Sequence, residues 1–207
     1  MTSTEIPKPS YGTKDVEVLS KENRYQGFFR MEKIKLRHRL FSSGWSQPID
    51  RELFVRGNAV AALMYDPEAD TIGLVEQFRV GSFIGGGEAW LYEVVAGMTE
   101  KNETPEQVII RELSEEAGMQ PKTLIPICEY FSSPGGTSEK LHLYCALGDL
   151  SDVGGIHGLE AEAEDIKVHI LPAEEVLKQL YGGQFNNAAT LICLQWLLIY
   201  RDDLRNV

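Results

Sequence analysis

The amino-acid sequence predicts an α/β fold: a sandwich built on a mixed sheet, preceded by an N-terminal antiparallel β subdomain. Three observations carry this expectation. Segments with strand character fill most of the chain up to about residue 95. One strongly capped helix, opening at Thr104 and closing at Gly118, follows them. After three more strand-like segments, two helical segments end the sequence.

Taken in order, residues from about Lys14 to Leu40 read as strands. In Lys33–Leu40 the period is two, with Ile34, Leu36, His38 and Leu40 on one face and Lys33, Lys35, Arg37 and Arg39 on the other. Phe41 to Asp50 is turn-rich, with Gly44 and Pro48, and separates a subdomain of residues 1–50 from a main domain of residues 51–207. Strands are expected at Glu52–Val55, Asn58–Tyr65 and Thr71–Arg79, the last two joined by a turn over Asp66–Asp70. Gly81 to Gly87 reads as a flexible connection, and Ala89 to Val95 as one strand running into Gly97. Further strands fall near Leu124–Phe131, Glu139–Leu147 and Asp165–Ile170. The closing helices span about Ala173–Tyr181, ended by Gly182 and Gly183, and Asn187–Arg201, opened by Asn186.

Composition narrows the function. At 207 residues the chain can bury a full core. Twenty Lys and Arg against 31 Asp and Glu leave a net charge of −11, which repels nucleic-acid phosphates and argues against a nucleic-acid partner. A small anionic substrate is still accommodated if positive groups converge locally. Cys128, Cys145 and Cys193 are odd in number and lack zinc spacing, so a reduced, cytoplasmic setting is the simplest reading. The N-terminus has no charged and apolar stretch of signal-peptide type, and the apolar run Thr190–Tyr200 is too short to span a bilayer, so no membrane partner is expected.

The most informative segment is Gly97–Met119. Thr104 is a good N-cap, Pro105 suits the first helical position, Gln107 completes a capping box, and Gly118 suits a left-handed C-terminal residue. Ile109, Ile110, Leu113 and Ala117 recur at helical spacing as the buried stripe, which puts Glu112, Glu115 and Glu116 together on the other side. Like charges four apart cost roughly 0.2–0.5 kcal/mol per pair, and the negative end of the helix dipole adds to this. A hard divalent cation relieves the repulsion, with Mg2+ the natural choice for oxygen ligands near phosphates and Mn2+ or another divalent cation the alternative. Taken alone, the three glutamates are more simply a solvated acidic face.

The whole string decides otherwise. Glycine, five residues, glutamate, seven residues, then Arg-Glu-aliphatic-x-Glu-Glu-x-Gly-aliphatic matches the Nudix box without a departure. The chain thus resembles the Nudix hydrolases, and the resemblance implies a Nudix-type α/β/α sandwich and cleavage of a nucleoside diphosphate linked to another moiety. It further implies that Glu112, Glu116 and the Ala96 carbonyl are metal ligands, that Glu115 supports the metal and water network, and that Gly97, Glu103, Arg111 and Gly118 are structural. Family members with an N-terminal extension commonly dimerise through it, so a homodimer is expected.

Outside the box, Ser132-Ser133-Pro134-Gly135-Gly136-Thr137-Ser138-Glu139, together with Arg51-Glu52, Arg56 and Glu76-Gln77-Phe78-Arg79, resembles the ADP-ribose pyrophosphatase branch of the family. That resemblance implies hydrolysis of ADP-ribose to AMP and ribose 5-phosphate. Phe28 and Phe29 would hold the adenine end, and Arg51, Glu52, Arg56, Arg79, Ser133, Pro134, Gly135 and Glu139 would line the rest of the pocket. Arginine forks suit the paired oxygens of a diphosphate, although singly such arginines are more often surface charges. The acidic segment Leu159–Asp165 resembles the catalytic loop of that branch, with Glu162 as the general base, Glu160 as the alternative, and Glu164 approaching a metal. Two competing readings remain: a sibling diphosphatase acting on ADP-glucose or GDP-mannose, and a non-hydrolytic ADP-ribose sensor. The full set of box carboxylates argues against the sensor.

Overall fold

A computed structural model of the chain describes residues 6–99, 102–159 and 164–205. It divides into two compact units, one reaching to Arg56 and taking in Ser133–Glu139, the other made of Gly57–Ser132 and Lys140–Val207.

In the first unit a 3-10 turn at Thr13–Asp15 leads into three strands, β1 (Val16–Gln26), β2 (Arg30–His38) and β3 (Ile49–Val55), which pair antiparallel in the order β1-β2-β3. The β1–β2 hairpin turns at Gly27–Phe29, closed by the Gly27 N–H donating to the Phe29 carbonyl. Cross-strand ion pairs Lys33–Asp50 (2.9 Å) and Arg37–Glu17 (2.5 Å) tie the strands together. Every residue of β1 is exposed, including Val16, Val18, Leu19 and Tyr25. The segment 133–139 joins this unit through the Phe54 N–H, which donates to the Gly136 carbonyl at 2.8 Å.

The second unit holds an eight-stranded mixed sheet. Its strands are β4 (Ala59–Asp66), β5 (Thr71–Phe78), β6 (Trp90–Glu93), β7 (Val95–Met98), β8 (Thr123–Phe131), β9 (Lys140–Leu147), β10 (Gly155–His157) and β11 (Ile166–Pro172). The main path is β10-β11-β5-β4-β9-β8, antiparallel except for β4 against β9. The first half of β4 pairs with β7 and the second half with β5, while the far half of β5 pairs with β6. Two short strands therefore fill the space where β4 and β5 part.

Helices cover both faces. The residues of β4 alternate between them: Val60, Ala62 and Met64 pack against α2 (Pro105–Ala117), and Ala61, Leu63 and Tyr65 against α3 (Ala173–Lys178) and α4 (Ala188–Arg205). All eight residues of β4 are buried, as befits a central strand covered on both sides. This is the α/β/α sandwich expected from the sequence. No helix among the described residues is long and apolar enough to cross a membrane.

Several local expectations need correction. The connection after Arg79 contains a short helix, α1 (Val80–Ile84), because the glycines cluster after it at 85–87 and end it without dissolving it. The single strand expected over Ala89–Val95 is two, β6 and β7, with different partners. The break falls at Val94, whose N–H donates to Thr190 Oγ1 of α4 (3.1 Å) and is lost to the sheet. Helix α4 is capped by Asn187, not Asn186: the Asn187 Oδ1 accepts from the Thr190 N–H at 3.1 Å, and the helix runs on to Arg205. Strand β10 was not foreseen; it is three residues long and lies amid glycines.

The turn between β4 and β5 also anchors α4. Asp70, in left-handed backbone (φ 56), accepts from Tyr65 Oη at 2.8 Å and is gripped by both Arg201 Nε and Arg201 Nη2. Hydrogen bonds from Arg201 hold the Asp70 carboxyl below its ordinary range against the opposing effect of burial. A depressed folded pKa stabilises the fold above the unfolded value of about 4, and that stability is lost as pH falls through the lower folded value. Asp70→Asn is therefore expected to lose about 1–3 kcal/mol at neutral pH. Urea denaturation from about pH 7 down to about pH 3 should show the variant less sensitive to acid than wild type; parallel profiles would contradict this role.

Candidate functional site

Helix α2 has the caps read from its sequence. The Gln107 N–H donates to Thr104 Oγ1 (3.3 Å), the Thr104 N–H donates to Gln107 Oε1 (2.9 Å), and Gly118 takes φ 65. The caps set where the helix begins and ends, while packing on the sheet sets which face turns inward, and here the expected stripe is wrong by one position. Val108, Ile109, Leu113 and Ala117 are buried, while Ile110 is 41% exposed. Burial of Ile109 and Leu113 contributes roughly 1.5–3 kcal/mol each. At about 100° per residue, an arc running from Val108 to Ala117 contains Glu112 and Glu116 and leaves out Glu115. The two glutamates thus stand on the sheet side, not opposite it. Glu116 is only 5% exposed, and the Glu112 side chain 14%.

Strand β7 receives them. The Ala96 N–H donates to Glu116 Oε2 at 3.4 Å, and Gly97 lies so close to Glu112 that a Cβ there would overlap its carboxylate. Burial, followed by the charge of Glu112, pushes Glu116 up to about 8; its bond to Ala96 and the positive charge of Arg79 offset only part of this. Burial also raises Glu112, and Arg111 opposes the rise. Arg111 gathers the outer carboxylates, with Nη1 at 3.0 Å from both Glu112 Oε1 and Glu115 Oε2, and Nη2 at 3.5 Å from Glu103 Oε2. Glu164 is exposed, yet its charge raises both Glu112 and Glu116. Gly158 (φ 106) packs directly on the Glu164 backbone.

Among the described residues no three His, Cys, Asp or Glu side chains converge into a complete ligand set. Two buried carboxylates beside a strand backbone nevertheless fit a divalent cation, since magnesium is commonly held by one or two carboxylates, with waters and substrate phosphates completing its shell. Such an ion would favour the charged form of Glu116, which burial otherwise disfavours.

Arg79 stands at the end of β5. Its Nε donates to Glu93 Oε2 at 2.6 Å, and Asn187 Nδ2 donates to Glu93 Oε1 at 2.6 Å. Neither Glu93 nor Asn187 was singled out from sequence as a site residue. A carboxylate at an inward position of a buried strand was the available signal.

The remaining expected residues belong to the first unit. Phe28 is 86% exposed at the hairpin tip and meets Phe29 edge-on, with ring centroids 4.7 Å apart; Phe29 meets Phe54 at 5.2 Å. Arg56 lies over the Phe29 ring at 5.3 Å and pairs through Nε with the buried Glu139 (3.0 Å). Ser133, Pro134 and Gly135 form a turn in which the Ser133 carbonyl accepts from the N–H groups of Gly136 and Thr137. Arg51 and Glu52 are exposed on β3, and Arg51 Nη1 donates to the Asp50 carbonyl. Phe28, Phe29, Arg56 and Glu139 thus form one cluster, with Arg51 and Glu52 outside its contacts. Glu162 and Glu160 lie outside the described residues.

Comparison with known proteins agrees with the geometry. A NUDIX domain matches residues 55–191. The ADP-ribose pyrophosphatase of Escherichia coli (strain K12) is 40% identical over 197 residues, 95% of this chain and 94% of its own. That of Haemophilus influenzae is 41% identical over 190 residues, 90% of this chain and 88% of its own. A GDP-mannose pyrophosphatase of Cronobacter sakazakii is 34% identical over 152 residues, 71% and 76% of the two chains. The crystal structure of an ADP compounds hydrolase superposes with a TM-score of 0.69 over 96% of this chain and 100% of its own; at 17% identity this is a likeness of fold. The chain belongs to the NUDIX family of hydrolases.

Added Mg2+ or Mn2+ should raise the melting temperature of the wild-type protein. Gly97→Ala, which displaces the Glu112 carboxylate, and Glu116→Gln should each abolish most of that rise in differential scanning fluorimetry. A full metal-induced shift in both variants would contradict the assignment.

Proposed function

We propose that the protein is a divalent-cation-dependent ADP-ribose diphosphatase that releases AMP and ribose 5-phosphate. The observation that carries the reading is the pair of buried carboxylates, Glu112 and Glu116, held against the backbone of β7 with insufficient positive charge nearby. The near full-length likeness to ADP-ribose pyrophosphatases supports the substrate.

In this reading Glu112, Glu116, the Ala96 carbonyl and Glu164 hold Mg2+, with Mn2+ as an alternative. A divalent cation bound there would supply electrophilic activation of the diphosphate and would lower the pKa of a nearby water. Glu162 accepts the proton of that water, with Glu160 as the alternative base. Glu115, tied to Arg111, steadies the carboxylate network. Arg79 and Arg51 stabilise the charge that builds on the phosphoryl oxygens. Phe28 and Phe29 offer aromatic faces to the adenine. Arg56, fixed by Glu139, and the Glu52 and Ser133–Gly135 positions are the further substrate contacts that the family resemblance assigns.

The N-terminal β subdomain, residues 1–50, serves as a dimerisation element, and the fully exposed β1 with its apolar side chains supports a homodimer. Three free cysteines fit a cytoplasmic setting. A nucleotide-sugar diphosphatase is the second reading, favoured by the likeness to GDP-mannose pyrophosphatases.

Incubation with Mg2+ and a panel of ADP-ribose, ADP-glucose and GDP-mannose, followed by AMP and GMP release, separates these readings. ADP-ribose should be cleaved with the highest kcat/KM, and equal rates across the panel would overturn the assignment. Glu162→Gln should lower kcat by about 10²–10⁴-fold with little change in KM. Full turnover in that variant would move the base to Glu160 or Glu115.

A further inference from the structure

A continuous chain of hydrogen bonds connects Arg79 to the start of α4. Glu93 is buried, with its side chain only 5% exposed, and both of its oxygens are used: Oε2 accepts from Arg79 Nε and Oε1 from Asn187 Nδ2, each at 2.6 Å. Asn187 turns its other amide atom, Oδ1, to the Thr190 N–H at 3.1 Å, and Thr190 Oγ1 accepts from the Val94 N–H at 3.1 Å. Thr190 is wholly buried. The helix cap, the junction between β6 and β7, and the arginine are therefore set by one network.

This network fixes the arginine by one edge only. Nε is committed to Glu93, and the two amino groups of Arg79 make no hydrogen bond among the described residues. The side chain remains 42% exposed, and its charge reaches Glu116. A buried carboxylate binding a guanidinium through Nε orients its plane and leaves the paired N–H groups free to meet an oxyanion.

We infer that Glu93 and Asn187 are positioning residues that hold Arg79 with its free amino groups toward the phosphoryl oxygens of the substrate. The inference rests on the diphosphatase reading for its substrate but not for its geometry. Glu93 must accept from two donors on opposite oxygens. A glutamine has a single acceptor oxygen, so Glu93→Gln breaks one of the two bonds in either orientation of the amide. Asn187→Ser keeps a good N-cap for α4 and is too short to donate to Glu93, which separates the positioning function from helix stability.

Two measurements test this. In the 1H–15N spectrum of the protein without substrate, the Arg79 Nε–H resonance, assigned by its loss in Arg79→Ala, should be shifted downfield and protected from exchange. It should move upfield and exchange faster in Glu93→Gln, whose acceptor carries no charge in either amide orientation, and move in Asn187→Ser, with the melting temperature of Asn187→Ser close to wild type. With ADP-ribose and Mg2+, each variant should lower kcat/KM by up to about a hundredfold, mainly through kcat. In an Arg79→Ala background, neither substitution should reduce it further. Additive losses in that background, or an unchanged Nε–H resonance in both variants, would overturn the inference. A wild-type enzyme that does not cleave ADP-ribose would sink the substrate reading alone, because the resonance test needs no substrate.

Discussion

Placing two carboxylates on the inward side of a helix is the constraint around which the second unit is organised. Glu112 and Glu116 fall in the same arc as Ile109, Leu113 and Ala117, so the hydrophobic burial that seats α2 on the sheet also carries two negative charges out of water. Burying an unpaired charge is costly, and burial accordingly pushes Glu116 toward its neutral form. The fold accommodates the pair through details with little other purpose. Gly97 leaves room for Glu112 where any side chain would collide, and Ala96 gives Glu116 a backbone donor. Caps at Thr104 and Gly118 fix the register of the helix, on which these contacts depend.

The arginines divide the remaining electrostatic work. Arg111 sits on the outer edge of α2 and gathers Glu103, Glu112 and Glu115, which limits repulsion along the helix without filling the space at Glu116. Arg79 approaches from the sheet, held by a buried carboxylate that is itself tied to the N-cap of α4. At its far end, α4 is tied to the β4–β5 turn through Arg201 and Asp70. Both ends of the last long helix are therefore bound by charged groups, and one of those ties leads toward the carboxylate pair.

Much of this was legible in the sequence because it is local. The N-terminal capping box of α2 follows from residues three apart, and the fifteen positions from Thr104 to Gly118 contain the signal for both ends. The strand itself, expected over Asn58–Tyr65, follows from its apolar run. What could not be read is set by contacts distant in sequence. Ile110 and Val108 flank the same apolar stripe, and only the seating of α2 on the sheet selects Val108. The break at Val94 depends on Thr190, 96 positions away, and the burial of Glu93 gains its meaning from Asn187, 94 positions away. The pattern that the box glutamates match implies a ligand role for them but not their orientation, because a pattern of identities does not report which way a helix is turned.

The central claim is that Glu112 and Glu116 are buried together in order to hold a cation. A crystal structure of the protein grown with Mn2+, with anomalous data collected, tests it most directly. The account predicts an anomalous peak at ordinary coordination distance, roughly 2.0–2.4 Å, from oxygens of both glutamates, with the Ala96 carbonyl beside it. No peak there, or a peak bound by other residues with Glu112 and Glu116 left uncoordinated, would contradict it.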